Sequence, residues 1–374
     1  MRYRSLATRV IAVAAVAGCA APTNNPSSLS SETVDVRAGD HACVLSSGEA
    51  RAGTLTFNVT NIGAQVTEFR LQSGDKRIVG EVENIGPSTT RGLVVQLADG
   101  KYTAVCKPGI ADGAQTPFTV TGSAPRPVDT HGEVVDAVAQ YKRYAVAQVA
   151  ALVPKTQEFA DAVKVNDVNR AKALFPLART GWERIEPVAE SVGDIDTKID
   201  AREQDQRPPG GAWTGFHRLE KDLWVDGLQA DSPAVADRLV ADVRDLQARI
   251  AGVELRPAQL ADGAKELFDE VAIIKLIGAE DIYSHTDLWD LNANIDGVRA
   301  VVAALRPVID QKDPTLGPLF DAQFGDVQDV LDGERLGDGF RSFKDLSQYD
   351  IVKMSITVNA LSRSASRLAD AVTS

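Results

Sequence analysis

The chain has 374 residues, of which 44% are hydrophobic and 25% are charged, and its formal net charge is −12. This length exceeds what one hydrophobic core usually organises, so we expect two domains. The composition excludes a chain that is disordered throughout or embedded in a membrane. The excess of acidic residues argues against nucleic-acid binding, which needs clustered Lys and Arg, and favours cationic ligands.

The N-terminus, residues 1–19, has the three-part pattern of an export signal: basic residues, an apolar run and then small residues. Its last four residues, Val16-Ala17-Gly18-Cys19, resemble a bacterial lipobox, in which Cys19 is lipidated and becomes the first residue. Cleavage at a nearby alanine is the alternative. We therefore expect an exported protein, lipid-anchored at the outer face of the cell membrane, in the periplasm or at the cell surface. Removal of residues 1–19 takes away three arginines and no acid, and lowers the net charge from −12 to −15.

A β domain is expected at residues 33–122, after a Ser-, Asn- and Pro-rich tether at 20–32. Its apolar residues recur at every second position, as in half-buried strands. The clearest of these positions are Leu55, Phe57, Val59, Phe69, Leu71, Leu93, Val95 and Leu97. Short alternating runs separated by Gly, Asn and Asp turns predict a β-sandwich. Residues 123–130, with Pro125 and Pro127, are then the expected linker.

A helical domain is expected at residues 131–374. Long Ala-, Leu- and Val-rich segments have apolar residues spaced by three or four, which is typical of amphipathic helices. Prolines between and within these segments are expected to end the helices; they include Pro154, Pro257, Pro307 and Pro314. The pattern predicts one or two antiparallel helical bundles.

Cys43 and Cys106 are the two cysteines that remain beside Cys19. In an exported protein such a pair is usually a disulfide. The alternative is a thiolate site for a second metal, copper or iron, which Glu68 and Glu81 could complete. Residues 33–122 contain one histidine, His41, and no methionine, which argues against a blue-copper site because that site needs two histidines.

His217 and Glu220 form the main candidate site. Three residues apart on a helix, they share a face, so an imidazole nitrogen and a carboxylate oxygen can reach the same ion. A hydrogen bond at the helix surface is the alternative, since this spacing also arises by chance.

The stretch Gly215-Phe216-His217-Arg218-Leu219-Glu220 closely resembles the Gly-x-His-Arg-x-Glu signature of imelysin-like domains. Other stretches that match that family are Tyr144 to Lys172, Trp182 to Pro187, Asp200 to Glu203 and Glu280 to Asp290. In the β domain, Lys101 to Cys106 followed by Pro108-Gly109 resembles a cupredoxin strand end. A cupredoxin-like domain followed by an imelysin-like domain is the organisation of the EfeO family of iron-uptake proteins, which this chain resembles over most of its length.

The resemblance implies a fold and a metal site. The fold is a two-domain β + α arrangement, a cupredoxin-like β-sandwich followed by an imelysin-like all-α bundle. Matched residue by residue, the metal ligands fall on Glu186, Asp200, His217 and Glu220. Such an oxygen-rich set suits iron, ferric or ferrous, with zinc or copper as substitutes. Glu183 is the near neighbour that could be confused with Glu186 in this match, and its alternative interpretation is an exposed helix residue.

The acidic segment Glu280 to Asp290 has two interpretations. Asp281, His285 and Asp287 either form a second metal site or hold the ligands in place. Alternatively, the acids stabilise the positive end of a helix dipole. Arg202 and Arg218 are expected to form ion pairs or to support the ligands rather than to bind the metal, because a guanidinium group is always protonated.

Similar proteins capture iron outside the cytoplasmic membrane and work with an iron permease and a secreted haem peroxidase. The resemblance therefore implies a non-enzymatic iron-binding protein that delivers iron to a membrane permease. The alternatives are a metal-dependent surface module that binds an anionic polysaccharide and a metallopeptidase. The chain contains no His-Glu-x-x-His arrangement, which argues against a zinc peptidase.

Overall fold

The computed structural model describes residues 32–74, 78–108, 113–122, 133–205 and 213–373. Residues 1–31, with the predicted signal, Cys19 and nearly all of the tether, lie outside these ranges, as does the linker 123–130. Across the described ranges, no helix is both long enough and apolar enough to cross a membrane.

The N-terminal part of the described chain consists of strands. They are β1 (Glu32–Ala38), β2 (Cys43–Leu45), β3 (Glu49–Arg51), β4 (Gly53–Asn61), β5 (Thr67–Ser73), β6 (Ile78–Ile85), β7 (Thr90–Leu97), β8 (Gly100–Pro108) and β9 (Ala114–Thr121). One sheet has the order β2-β1-β4-β7 and the other β3-β9-β8-β5-β6. Both sheets are mixed, because β1 pairs with β4 and β3 with β9 in parallel.

The two sheets pack face to face around an aromatic centre. The Phe57 ring of the first sheet lies 5.4 Å from the rings of Phe69 and Phe118 of the second, centroid to centroid. All three side chains are buried, as the alternating pattern predicts. The expected two-layer β-sandwich is therefore confirmed.

Cys43 and Cys106 are joined in a disulfide inside this core. Glu68 and Glu81 lie on the other face of the second sheet, because Cys106 pairs in register with Phe69, whereas Glu68 pairs with Lys107. Successive strand residues point to opposite faces. The four residues therefore do not form the second metal site that the sequence left open; Glu68 and Glu81 instead form ion pairs with Lys107 and Arg70.

The rest of the described chain is mainly helical. The helices are α1 (Glu133–Lys164), α2 (Val168–Glu183), α3 (Ile195–Ile199), α4 (Phe216–Lys221), α5 (Ser232–Ile250), α6 (Pro257–Ile273), α7 (Asp287–Lys312), α8 (Leu316–Gly333), α9 (Gln348–Ala365) and α10 (Leu368–Thr373). Short 3₁₀ turns occur at Glu186–Val192, Glu203–Asp205, Lys275–Ile277 and Phe343–Asp345, and a π-helical turn at Asp222–Asp226. Two short strands, β10 (Arg335–Leu336) and β11 (Gly339–Phe340), pair after α8.

The predicted bundle forms around α1, which packs against α2, α5 and α7. The expectation that Pro154 and Pro307 end helices is wrong, since they lie inside α1 and α7. A proline inside a helix costs about 3 kcal/mol. The buried faces of these long helices offset that cost through packing along both sides of each proline.

The β-sandwich and the helical part contact each other through α6, which packs against β6 and β7. Arg91 of β7 bonds Asp269 of α6 at 3.1 Å. The β6 backbone N–H of Glu83 lies 3.5 Å from the Glu266 carboxylate. This contact places one face of the second sheet beside the acidic residues of the helical part.

Candidate metal centre

The helix that carries the candidate motif begins against the segment that carries Asp200. Gly215, just before α4, has φ +95°, and a Cβ at this position would lie 2.3 Å from the Ile199 carbonyl oxygen. Only glycine adopts this conformation easily and allows so close an approach. The contact brings the first turn of α4, with His217, next to Asp200 at the end of α3.

The His217 ring is buried, with 1% of the residue exposed, and carboxylates flank both of its nitrogens. On one side, Nδ1 lies 2.9 Å from Glu220 Oε2 and 3.9 Å from Asp281 Oδ1. On the other, Nε2 lies 3.6 Å from both Asp200 Oδ1 and Glu280 Oε1. Each side brings three ligand atoms close enough together to hold one metal ion.

On the Nδ1 side, backbone hydrogen bonds orient Glu220, and Arg179 Nε lies 3.7 Å from Asp281 Oδ1. Glu220 Oε1 accepts hydrogen bonds from the backbone N–H groups of Tyr283 (3.0 Å) and Ser284 (2.7 Å), which leaves Oε2 facing the ring. Asp281 Oδ2 accepts from the Thr286 hydroxyl, whereas the buried Oδ1 accepts no hydrogen bond from any described residue. A buried carboxylate oxygen without a partner is costly, and a bound cation would satisfy it.

The Nε2 side contains the guanidinium group of Arg179, a fully buried residue of α2. Its Nη1 lies 3.3 Å from His217 Nε2 and forms an ion pair with Asp200. Its Nη2 bonds Glu183 at 2.5 Å, one helical turn along α2, and Asp290 at 3.0 Å. Arg179 therefore forms ion pairs with acids that would otherwise be available to a metal ion on this side.

Glu186 does not join either ligand group. Its Oε2 accepts a hydrogen bond from Lys275 Nζ at 3.0 Å and one from the Asn294 amide. Lys275 is itself buried and also bonds Glu183 at 2.6 Å. Of the other three predicted ligands, the structure thus brings Asp200 and Glu220 to the His217 ring, while Glu186 bonds a buried lysine that it shares with Glu183.

The acids of this centre outnumber its fixed cations, and several pKa values reflect that. Burial raises the pKa of Asp290 to about 8 despite Arg179, and burial and Asp290 raise that of Asp281 well above its usual range. Burial also acts to raise the pKa of Glu280, but Lys275 and Arg202 outweigh it and hold the pKa well below normal. For His217, burial and Arg179 act to lower the pKa, yet Glu220 and Glu280 raise it well above normal. Without a metal, the cluster is therefore neutralised partly by protons.

The acids of segment 280–290 do not act only on a helix dipole, which was one of the two interpretations of the sequence; two of them lie beside His217. Glu280 and Asp281 flank opposite sides of His217. Asp287 Oδ1 accepts from the Asp281 backbone N–H at 3.3 Å and so holds this turn in place. His285 contributes its backbone N–H, which donates to the Asp281 carbonyl at 2.7 Å, and its side chain belongs to neither ligand group.

A cavity of about 570 Å³ lies between the β-sandwich and the helical part. Asp200 and Glu280 of the centre line it. Acids of both domains form most of its charged wall, including Glu68, Glu81, Glu83, Asp262, Glu266 and Glu270. The cavity therefore connects the Nε2 side of the buried centre to a space lined mainly by acids.

Comparison with known proteins places the chain in a family. The imelysin family (Peptidase_M75) matches residues 137–368. The chain belongs to the imelysin family. It is 37% identical over 338 residues to the iron uptake system component EfeO of Yersinia pseudotuberculosis serotype I, with 90% of each chain covered. It is 35% identical over 340 residues to EfeO of Escherichia coli O1:K1, again with 90% of each covered.

Within the imelysin family, the chain is thus of the EfeO type, as the motifs predict. Among solved structures, one match is the reduced auracyanin of Roseiflexus castenholzii. The match covers 25% of this chain and 98% of the auracyanin chain, with 18% identity and a TM-score of 0.22.

Sequence reasoning about this imelysin-family centre missed Arg179 and Lys275 and placed Glu183 wrongly. Glu183 is fully buried instead of exposed, because it accepts from both cations. The available signal was the Arg179/Glu183 spacing of four on one helix, which predicts an ion pair but not its burial. The prediction for Arg202 and Arg218 holds, since they pair with Glu280 at 2.9 Å and with Asp222.

Proposed function

We propose that this protein is an exported iron-binding component of an iron uptake system, which captures an iron ion in the helical domain and delivers it to a membrane permease. The two EfeO proteins above are named as iron uptake system components, and the family membership supports the same role here. The iron is cargo in this proposal. It binds at Nδ1 of His217, Oε2 of Glu220 and Oδ1 of Asp281.

One observation carries the proposal: the buried Asp281 Oδ1 atom, 3.9 Å from Nδ1 of His217, accepts no hydrogen bond from the described residues, and Arg179 Nε approaches it only to 3.7 Å. The ring nitrogen and the two carboxylates would replace part of the hydration shell of one ion. One imidazole with carboxylates is a hard ligand set that suits iron, and zinc or copper would bind as substitutes. The excess of acids over Arg179 and Lys275 leaves negative charge for the ion to neutralise.

The cavity brings cations to the edge of the buried centre. His217 and Glu220 are almost completely enclosed, whereas Asp200 and Glu280, beside the ring, line the cavity. The acids of the wall that stay ionised raise the local cation concentration and so speed binding. In this proposal the β-sandwich contributes an attractive surface through Glu81 and Glu83, not ligands.

The location and partners of the protein are part of the proposal. A lipid on Cys19 would hold the protein at the outer face of the membrane, close to an iron permease. A secreted haem peroxidase is the proposed third component of the system. These proposals rest on the lipobox-like sequence and on the family resemblance.

The test compares the metal content of the purified wild type with that of the double variant His217→Ala/Glu220→Ala. After incubation with ferric citrate and gel filtration, we expect about one iron per wild-type chain and a loss of at least about 90% in the variant. His285→Ala is the matched control, because its side chain lies outside both ligand groups. Equal iron in the wild type and the double variant would refute the site. Iron accumulation by cells that carry each variant then tests the uptake role.

A further inference from the structure

We propose that Arg179 is a built-in cation that fills a second metal position of this cluster and thereby limits the centre to one bound ion. The inference rests on the proposed function, because it takes the Nδ1 side of His217 as the iron site. It concerns the other side of the same ring.

The surroundings of Arg179 are those of a metal ion. Its three guanidinium nitrogens lie within 4 Å of carboxylate oxygens from five acids and of one imidazole nitrogen. The five acids are Glu183, Asp200, Glu280, Asp281 and Asp290. No part of the Arg179 side chain is exposed. Buried carboxylates in such number occur where a fixed positive charge compensates them.

The guanidinium group and a metal ion cannot share the Nε2 side. Nε2 of His217, Asp200 and Glu280 lie close enough together to hold an ion, yet Arg179 Nη1 is 3.3 Å from that same Nε2. A metal bonds imidazole nitrogen at about 2.0–2.1 Å, so the ion and Nη1 would meet at contact distance with like charge. Metal binding there requires the guanidinium group to leave.

Arg179 is held too firmly to leave. Nε and Nη2 both bond Asp290 on α7, at 3.1 and 3.0 Å, and Nη2 also bonds Glu183. A guanidinium group does not lose its proton in a protein, so it cannot become neutral to make room. The Phe175 and Phe216 rings, 5.8 and 5.6 Å from its central carbon, close off the apolar side. Arg179 therefore remains in place while the Nδ1 side binds iron.

The experiment measures zinc stoichiometry in the wild type and in Arg179→Gln and Arg179→Lys, using dialysis against micromolar Zn²⁺ and elemental analysis. Gln removes the charge and keeps part of the volume, whereas Lys keeps the charge and is the matched control. We expect one zinc per chain in the wild type and in Arg179→Lys, and two in Arg179→Gln. One zinc in folded Arg179→Gln would overturn the inference while the proposed function stands. No zinc in the wild type would instead refute the proposed function.

If Arg179→Gln folds only when zinc is present, the stoichiometry of the zinc-refolded protein gives the same test. If it does not fold at all, zinc-soaked crystals of the wild type decide the matter. We expect one anomalous peak, with Arg179 still bonded to Asp200 and Asp290. A second peak beside Nε2, or a guanidinium group moved away from Asp200, would overturn the inference.

Discussion

Gly215 touches the carbonyl of Ile199 so closely that a Cβ on Gly215 would lie 2.3 Å from that oxygen. This contact joins the residue before α4 to the residue before Asp200. It sets the distance between α4, which carries His217, and the end of α3, where Asp200 lies. Stability and site geometry therefore depend on the same glycine.

We expect Gly215→Ala to destabilise the protein by about 1–3 kcal/mol, because φ +95° is strained for alanine and the methyl group clashes with the carbonyl. We also expect the metal affinity to fall, since α4, which carries His217 and Glu220, must shift relative to Asp281. Gly325→Ala is the control: Gly325 lies in α8 and its Cβ would meet nothing within 4 Å, so alanine should stabilise by about 0.5–1 kcal/mol. Urea unfolding measures the change in unfolding free energy for each of the two variants. Equal changes in the two variants would contradict this account.

The ligand assignment predicts opposite results for two acids. Asp281→Asn should weaken metal binding by about tenfold or more, because it removes the negative charge of the carboxylate beside Nδ1. Glu186→Gln should change the affinity by less than about twofold, because Lys275 and Asn294 already bond that carboxylate and it reaches neither nitrogen of His217. Calorimetric titration with Zn²⁺ compares them. A large loss in Glu186→Gln with no loss in Asp281→Asn would reverse the assignment.

The cavity predicts an effect on the rate of metal binding. Replacing Glu81 and Glu83 by Gln should slow association severalfold, with a weaker effect at high salt, because the wall loses two charges. The control replaces Asp326 and Asp329 by Asn, which removes the same charge from exposed positions on α8. Stopped-flow measurement of metal association gives the rates. If both double variants slow binding equally, net charge rather than the cavity sets the rate.

Asp262 predicts a dependence of stability on pH. Burial, and then the neighbouring Glu266, raise the pKa of Asp262 well above normal, and its buried Oδ2 has no hydrogen-bond partner in the part of the chain that the structure describes. The folded state therefore prefers the protonated acid. The stability that this proton confers is complete below the unfolded-state pKa and is lost as the pH rises through the folded-state pKa.

Asp262→Asn, which cannot ionise, should remove that loss. We expect the difference in unfolding free energy between variant and wild type to move in favour of the variant from about pH 5 to about pH 8. Urea unfolding at both values gives the difference, with Asp326→Asn as the exposed control. A difference independent of pH would show that Asp262 keeps an ordinary pKa in the folded protein.

The sequence predicted the parts of the centre that lie on one helix. His217 and Glu220 share a turn of α4, so their spacing alone indicated that they could meet. Asp200 followed from the resemblance, and the Gly215 contact explains why it lies beside the ring. The alternating pattern of residues 33–122 likewise predicted the β-sandwich, because strand period and burial coincide there.

The remaining parts depend on long-range packing. Lys275 reaches Glu186 from a distant turn, and no local spacing shows that a buried lysine will bond that acid. The same holds for Arg179, which meets Asp290 only because α2 packs against α7. In the β-sandwich, strand register puts Glu68 on the face opposite Cys106, which composition does not reveal.

The central claim is that one ion binds on the Nδ1 side of His217. Anomalous diffraction at the iron edge, from crystals soaked in an iron salt, tests it most directly. The account predicts a peak about 2.0–2.3 Å from Nδ1 of His217, in contact with Glu220 and Asp281. A peak that touches none of these three side chains, or iron-loaded crystals with no peak at the ring, would contradict it.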